Sequence, residues 1–207
     1  MLRILTIDDH EVVHGGVKGL FSAAGAQFGE ARSGPEGLKL IRDQEWDIAV
    51  LDISLGGRNG LEVLGEIKEL RPKLPVLILS MHAEEQYAMR AFKGGASGYI
   101  SKASSRDELR VAILKVIGGG RYVSPALAEK MVVDLSTSDR PPHETLSNRE
   151  LEVLCLIASG RTVGEIAAKL SLSDKTISTY RRRILDKMMM KTNAELTHYA
   201  IRNALVD

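Results

Sequence analysis

Five short apolar runs, each separated from the next by a longer segment of helical period, most restrict the fold open to this chain. They span residues 3–7, 26–31, 47–52, 75–80 and 98–101. Strands that are apolar on both faces have to be covered on both faces, and strands separated by single helices pair in parallel. Between the runs, Val13, Val17, Leu20, Phe21 and Ala24 keep helical spacing, as do Val63, Ile67 and Leu70. Leu109, Ala112, Ile113, Val116 and Ile117 form a full i, i+3, i+4, i+7, i+8 stripe. Ser33 with Glu36 and Ser105 with Glu108 have the three-residue offset of a capping box. The expectation is an α/β fold over residues 1–118, a five-stranded parallel doubly wound sheet.

Past residue 118 the pattern changes. Three glycines at 118–120 break the last helix, and Ser124-Pro125 opens a short one carrying Leu127, Met131 and Leu135. The stretch STSDRPPHE offers charge, hydroxyls and prolines with nothing to bury, so residues 119–144 read as a linker with a short helix. From 145 to 207 the pattern is purely helical. Ser147 with Glu150, Thr162 with Glu165, Ser173, and Thr192 with Glu195 each open a helix, which predicts an all-α four-helix domain. Cys155 falls on the apolar side of the first of these and reads as a core residue.

In a doubly wound sheet, ligands bind beyond the carboxyl ends of the strands. The residues there are Asp8 and Asp9 after the first run, Asp52 at the end of the third, Ser80 at the end of the fourth, and Ser101 with Lys102 where the fifth ends. Adjacent carboxylates repel, and three of them in a small space call for a cation. A hard divalent ion such as Mg²⁺ suits oxygen ligands. Helix capping by Asp8 or Asp9 would explain one acid and leave Asp52, Ser80 and Lys102 unexplained. Asp52 precedes a loop with three glycines, ISLGGRNG, where backbone can approach a ligand closely, so it is the best nucleophile for phosphorus. His10, His14, His82, His143 and His198 are scattered without ligand spacing, which argues against zinc.

Charge is uneven. The formal net charge is +1, yet residues 145–207 carry 10 basic against 7 acidic side chains, and 175–191 carry six against one. A polyanionic partner for the tail follows. TVGEIAAKLSLSDKTISTYRRRILDKM has the size of a helix-turn-helix. Ile177, Ile184, Leu185 and Met188 form a stripe that can hold the second helix to its domain, while Lys175, Ser178, Thr179 and Arg182 form an outward polar stripe.

With these residues in view, DD after the first strand, the Asp of VLD after the third, Ser80 and Lys102 make residues 1–118 resemble the receiver domain of two-component response regulators. LSNRELEVLCLIASG, EIAAKLSLSDKTISTY and NAEL make residues 146–207 resemble the LuxR-type helix-turn-helix domain. The combination is similar to NarL/FixJ-class response regulators. The resemblance implies a flavodoxin/CheY-like sheet, with Asp52 as phosphoacceptor. Asp8, Asp9, Asp52 and the Ser54 backbone carbonyl would hold Mg²⁺; Lys102 would bind the phosphoryl group, and Ser80 with Tyr99 would form a hydroxyl–aromatic switch. It implies that Ser178, Thr179 and Arg182 face base edges and that Lys175, Thr176 and Tyr180 lie nearer the phosphates of double-stranded DNA. Leu55-Gly56 stands where many relatives have Met-Pro, and Tyr180 where His is frequent.

The expected function is a phosphorylation-activated transcriptional regulator rather than an enzyme, with a sensor histidine kinase or phosphotransfer protein as donor. A homodimer when phosphorylated, and RNA polymerase as a further contact, complete the expected partners. No apolar run approaches the roughly 20 residues of a membrane span, and no basic-then-apolar leader is present, so a cytoplasmic protein without a membrane partner is expected. Two alternatives stay open: a DNA-binding regulator that works without phosphorylation, and a phosphatase with an aspartyl nucleophile. The second would be expected to carry Asp-x-Asp, where this chain has adjacent acids.

Overall fold

The computed structural model describes residues 1–55, 58–81, 84–125, 127–129 and 141–206. It divides into two compact units, Met1–Val133 and Asp134–Asp207. In the first, strands and helices alternate as β1 Arg3–Ile7, α1 Glu11–Phe21, β2 Gln27–Ala31, α2 Gly34–Asp43 and β3 Ile48–Leu51. A two-rung hairpin of β4 Ser54–Leu55 and β5 Arg58–Asn59 leads into α3 Gly60–Leu70. Then come β6 Val76–Ser80, α4 Glu84–Lys93, β7 Gly98–Ser101 and α5 Arg106–Ile117. The large sheet has the order β2-β1-β3-β6-β7 and is parallel throughout, the doubly wound architecture expected.

Burial follows the apolar runs. All residues of β3 and β6 are buried, as is β1 from Ile4 onward. On one face, Ile4, Ile48, Val50, Leu77, Leu79 and Ile100 pack with Val17 and Phe21 of α1 and Ala112, Ile113 and Val116 of α5. Each of these side chains other than that of Ala112 contributes roughly 1.5–3 kcal/mol when fully buried. On the other face α2 lies so close that a Cβ at Gly37 would stand 2.5 Å from the Ile7 side chain. The edge strand β2 is only partly buried and is weak in the sequence for a visible reason. Gly29 interrupts it, and the Trp46 ring occupies the space where a side chain would project, 2.2 Å from an ideal Cβ.

Helix starts are set as the hydroxyl residues predict. Ser33 and Ser105 accept from the backbone N–H groups of Glu36 and Glu108. Helix α1 is different: its N-cap is His10, which makes no side-chain cap. Asp8 and Asp9 therefore do not serve as its cap. Beyond α5 the chain stays with the first unit. Tyr122 forms a one-residue parallel bridge with Gly98, its ring joins the α1/α5 core, and its hydroxyl donates to Glu108. Leu127 is also buried. Met131 and Leu135 lie outside the described residues.

In the second unit a 3-10 turn, Pro142–Thr145, precedes α6 Asn148–Ala158, α7 Val163–Leu170, α8 Asp174–Met188 and α9 Asn193–Arg202. All four have the predicted caps, and Ser147/Glu150 and Thr162/Glu165 form complete capping boxes. Helix α6 is the central one. Its Arg149, Glu150 and Glu152 are buried as well as its apolar residues, because Arg149 pairs with Glu152 at 2.8 Å and donates to the C-terminal carbonyl of Leu170, and Lys187 reaches Glu150 at 2.6 Å. Among the described residues no helix is long and apolar enough to cross a membrane.

The tightest backbone approach in the first unit is at the start of α3. A Cβ on Gly60 would fall 2.0 Å from the Asp52 carbonyl oxygen and 2.7 Å from the Ile53 Cα, atoms that cannot move without displacing the strand end. Gly60→Ala is expected to cost about 1–3 kcal/mol in urea unfolding, the range for overpacking a tight site.

Candidate functional site

The order of the sheet reverses between β1 and β3: the chain leaves β1 for β2 on one side and returns to β3 on the other. Crevices at such switch points are where doubly wound sheets bind ligands. Register sets what stands there. Ile7 pairs with Leu51, so Asp8 and Asp52 leave adjacent strands at the same level, and the Asp52 N–H donates to the Ile7 carbonyl at 3.0 Å. On the other side of β6, Ser80 pairs with Ser101 and the Lys102 N–H donates to the Ser80 carbonyl at 2.8 Å.

Lys102 closes the group. Its Nζ lies 2.7 Å from Asp8 Oδ2 and 2.7 Å from Asp52 Oδ2. Both carboxylates are 1% exposed. Asp9 is at the rim, and one oxygen from each of Asp8, Asp9 and Asp52, together with one ring nitrogen of His10, lie within 4.8 Å of one another. His10 had no place in the expected set. Its Nδ1 is 3.0 Å from Asp8 Oδ1 and 2.8 Å from Asp9 Oδ1. His14, buried in α1, bonds the Asp8 carbonyl through Nε2 at 2.8 Å. Ligand spacing along the sequence hid both, because their partners are carboxylates and a carbonyl rather than other histidines. The one signal was position, since both follow the acid pair at the start of a helix.

One ammonium does not balance two buried carboxylates. Burial, the largest influence, and the neighbouring Asp8 charge push the Asp52 pKa above the ordinary carboxylate value despite the Lys102 hydrogen bond. At Lys102 burial pulls downward, but the hydrogen bonds and charges of Asp52 and Asp8 prevail and the ammonium is held above its usual pKa. Asp52 Oδ1 is buried and accepts no hydrogen bond among the described residues. An anionic, oxygen-rich group with such an atom fits a divalent cation, and Asp8, Asp9 and Asp52 are the side chains that could hold it. Ser54 follows two residues later, on β4 opposite Asn59. Ser80 and Tyr99 are fully buried on neighbouring strands. Gly56 lies outside the described residues.

In the second unit, buried Ile177, Ile184 and Met188 fasten α8 to its domain, with Leu185 partly buried beside them. Lys175, Ser178, Thr179, Arg182 and Arg183 are exposed, while Thr176, Tyr180 and Arg181 are half-buried. Lys175, Thr176, Thr179, Tyr180 and Arg183 line one shallow depression. The Thr179 hydroxyl donates back to the Lys175 carbonyl at 2.9 Å, which leaves its oxygen free to accept. Arg181 is held aside by Asn193.

Because the folded Asp52 carboxyl ionises less readily than an unfolded one, its charge costs stability above the raised pKa, and acid relieves that cost. Asp52→Asn removes it at neutral pH. In metal-free buffer the variant is expected to be about 1–2 kcal/mol more stable in urea, the usual gain when a functional site is relaxed.

Known proteins share the chain's division into two domains. Residues 4–114 match the response regulator receiver domain and residues 144–200 match the bacterial regulatory proteins of the luxR family. The response regulator GacA of Pseudomonas aeruginosa is 33% identical, with 100% of this chain and 99% of the relative aligned. The response regulator UvrY of Escherichia coli is 33% identical over 99% and 96%. Among solved structures, a LuxR-family two-component response regulator from Aurantimonas sp. SI85-9A1 is 34% identical, with a TM-score of 0.60 over 65% of this chain and 98% of that one. RcsB of Salmonella enterica serovar Typhimurium, bound to promoter rprA in the presence of phosphomimetic BeF3-, is 25% identical, with a TM-score of 0.66 over 96% and 97%. With both domain matches in order along the chain and relatives aligned from end to end, the chain belongs to the NarL/FixJ class of response regulators.

Proposed function

We propose that this protein is a transcriptional regulator switched by phosphorylation of Asp52. What carries the reading is one arrangement: Asp8 and Asp52 at the switch point of the sheet share the Lys102 ammonium, and Asp52 keeps one buried oxygen without a hydrogen-bond partner. The Asp52 carboxylate attacks phosphorus on a phosphohistidine of a sensor kinase or phosphotransfer protein. An O–P bond forms as the P–N bond breaks, leaving an acyl phosphate on Asp52 and a proton to be taken up by the donor histidine. A Mg²⁺ ion held by Asp8, Asp9, Asp52 and the Ser54 carbonyl supplies positive charge to the phosphoryl oxygens when bound. Lys102 already stands 2.7 Å from the acceptor and follows the charge onto the new group. Ser80, level with Ser101 on the neighbouring strand, offers its hydroxyl, and Tyr99 occupies the interior beside it. The product is a modified regulator and no substrate is turned over, so we read the chain as a non-enzyme.

The output is DNA binding. Residues 1–118 would form the receiver, 119–144 the connection and 145–207 the DNA-binding domain. On α8, Ser178, Thr179 and Arg182 would face base edges, and Lys175, Thr176 and Tyr180 the phosphates. One short helix reads few base pairs, so a homodimer on paired half-sites gives the affinity. RNA polymerase and a cytoplasmic site of action follow from that output.

Incubation with acetyl phosphate and Mg²⁺ is expected to place one acid-labile phosphate on the wild type and none on Asp52→Asn, measured by intact mass; equal labelling of both overturns the assignment. Arg182→Ala is expected to lose about 1–3 kcal/mol on a cognate site and far less on random DNA. Equal losses on the two would move Arg182 from the bases to the backbone.

A further inference from the structure

The acid pocket holds a nitrogen that the proposed Mg²⁺ site does not need. His10 Nδ1 lies 2.8 Å from Asp9 Oδ1 and 3.0 Å from Asp8 Oδ1. The His10 backbone N–H also donates to Asp8 Oδ1 at 2.9 Å, which fixes the ring's own residue against that carboxylate. Adjacent ligands on an octahedral ion with bonds of about 2.0–2.1 Å stand about 2.9 Å apart. Each of the two carboxylate oxygens thus stands from the ring nitrogen at the spacing of a neighbouring corner of one coordination sphere, and all the ligand atoms lie within 4.8 Å of one another. The fourth member is buried: with Asp52 Oδ2 held by Lys102, the unpartnered Oδ1 is the oxygen left to a cation.

We infer that His10 is a fourth side-chain ligand, which makes this pocket a mixed nitrogen–oxygen site for first-row transition ions such as Ni²⁺, Co²⁺ or Cu²⁺ in addition to Mg²⁺. The inference rests on the reading of the pocket as a divalent-cation site. Mg²⁺ is a hard ion with little preference for imidazole, whereas imidazole suits nickel, copper, iron and zinc, and affinity at such sites rises along the series towards copper. His10 is 61% exposed and stands at the mouth, so its ring can swing onto an ion or away from it without disturbing the core. Asp8 and Asp52 serve either kind of ion; His10 rewards only one. Transition ions then compete with Mg²⁺ for the carboxylates that surround the phosphoacceptor.

The test uses the full-length metal-free protein. Mg²⁺ and Ni²⁺ are titrated calorimetrically into wild type, His10→Ala, His10→Gln and Asp52→Asn, and each protein is also loaded with Cu²⁺ for electron paramagnetic resonance. In the wild type Ni²⁺ is expected to bind more tightly than Mg²⁺. Both His10 variants should lower the Ni²⁺-to-Mg²⁺ affinity ratio at least tenfold and should lose one imidazole nitrogen coupling from the Cu²⁺ spectrum. Asp52→Asn should weaken both metals. An unchanged affinity ratio, or the same nitrogen coupling in the wild type and the His10 variants, overturns His10 as a ligand even where Mg²⁺ binds normally. Failure of the wild type to bind Mg²⁺ at all would instead sink the underlying reading of the pocket, and the two failures are therefore distinct.

Discussion

The contact on which this receiver depends is a single ammonium between two carboxylates that left water to reach it. Lys102 stands 2.7 Å from Asp8 and from Asp52, and both acids are almost fully enclosed. Removing two carboxylates from water costs several kcal/mol for each, and one partner shared between them returns only part of that. A protein selected for stability alone would place apolar side chains there. The sheet supplies the rigidity that keeps the group together. Three of its strands deliver the charges, and their register is fixed by backbone bonds at 2.8–3.0 Å on either side. The remaining imbalance is what the site works with, since a cation and then a phosphoryl group can complete a charge pattern that the folded chain leaves unfinished.

Most of the framework could be read in the sequence because each element announces itself locally. The central strands are apolar on both faces, and every helix opened by a hydroxyl residue with an acid three positions later is capped as read. The acids at the strand ends were legible because the doubly wound topology converts strand order into a place. What was not legible depended on contacts between distant residues. The weakness of β2 is explained by Trp46 lying over Gly29, a relation no periodicity contains. His10 and His14 belong to the pocket through a carboxylate pair and a carbonyl. In the second unit, Arg149, Glu150 and Glu152 look like solvated positions of an amphipathic helix. They are buried because Glu152, the Leu170 carbonyl and Lys187 meet their charges from other turns and other helices.

The two units solve different problems. The receiver confines its charges to one end of a sheet and leaves the rest of its core apolar. The smaller unit has four short helices and a correspondingly small core, so a pair of complete capping boxes and a buried charge network supplement it. His143 and Tyr199 add a link of 2.9 Å between the entry turn and the last helix. With its helix ends and buried charges satisfied internally, the unit can hold α8 firmly and still expose Lys175, Ser178, Thr179 and Arg182.

Tyr122 has a further effect on how copies of this protein can meet. Its carbonyl accepts from the Tyr99 N–H at 3.2 Å and its own N–H donates to the Ser97 carbonyl at 3.0 Å, so the first rungs of the border strand β7 are already used. A border strand with free backbone groups invites another chain to extend it. Among the described residues only Ile100 and Ser101 of β7 lie beyond that bridge, too short a stretch to seed such an extension. On that flank, self-association has to proceed through side chains on helix surfaces, whose fit selection can tune, and indiscriminate backbone stitching is blocked.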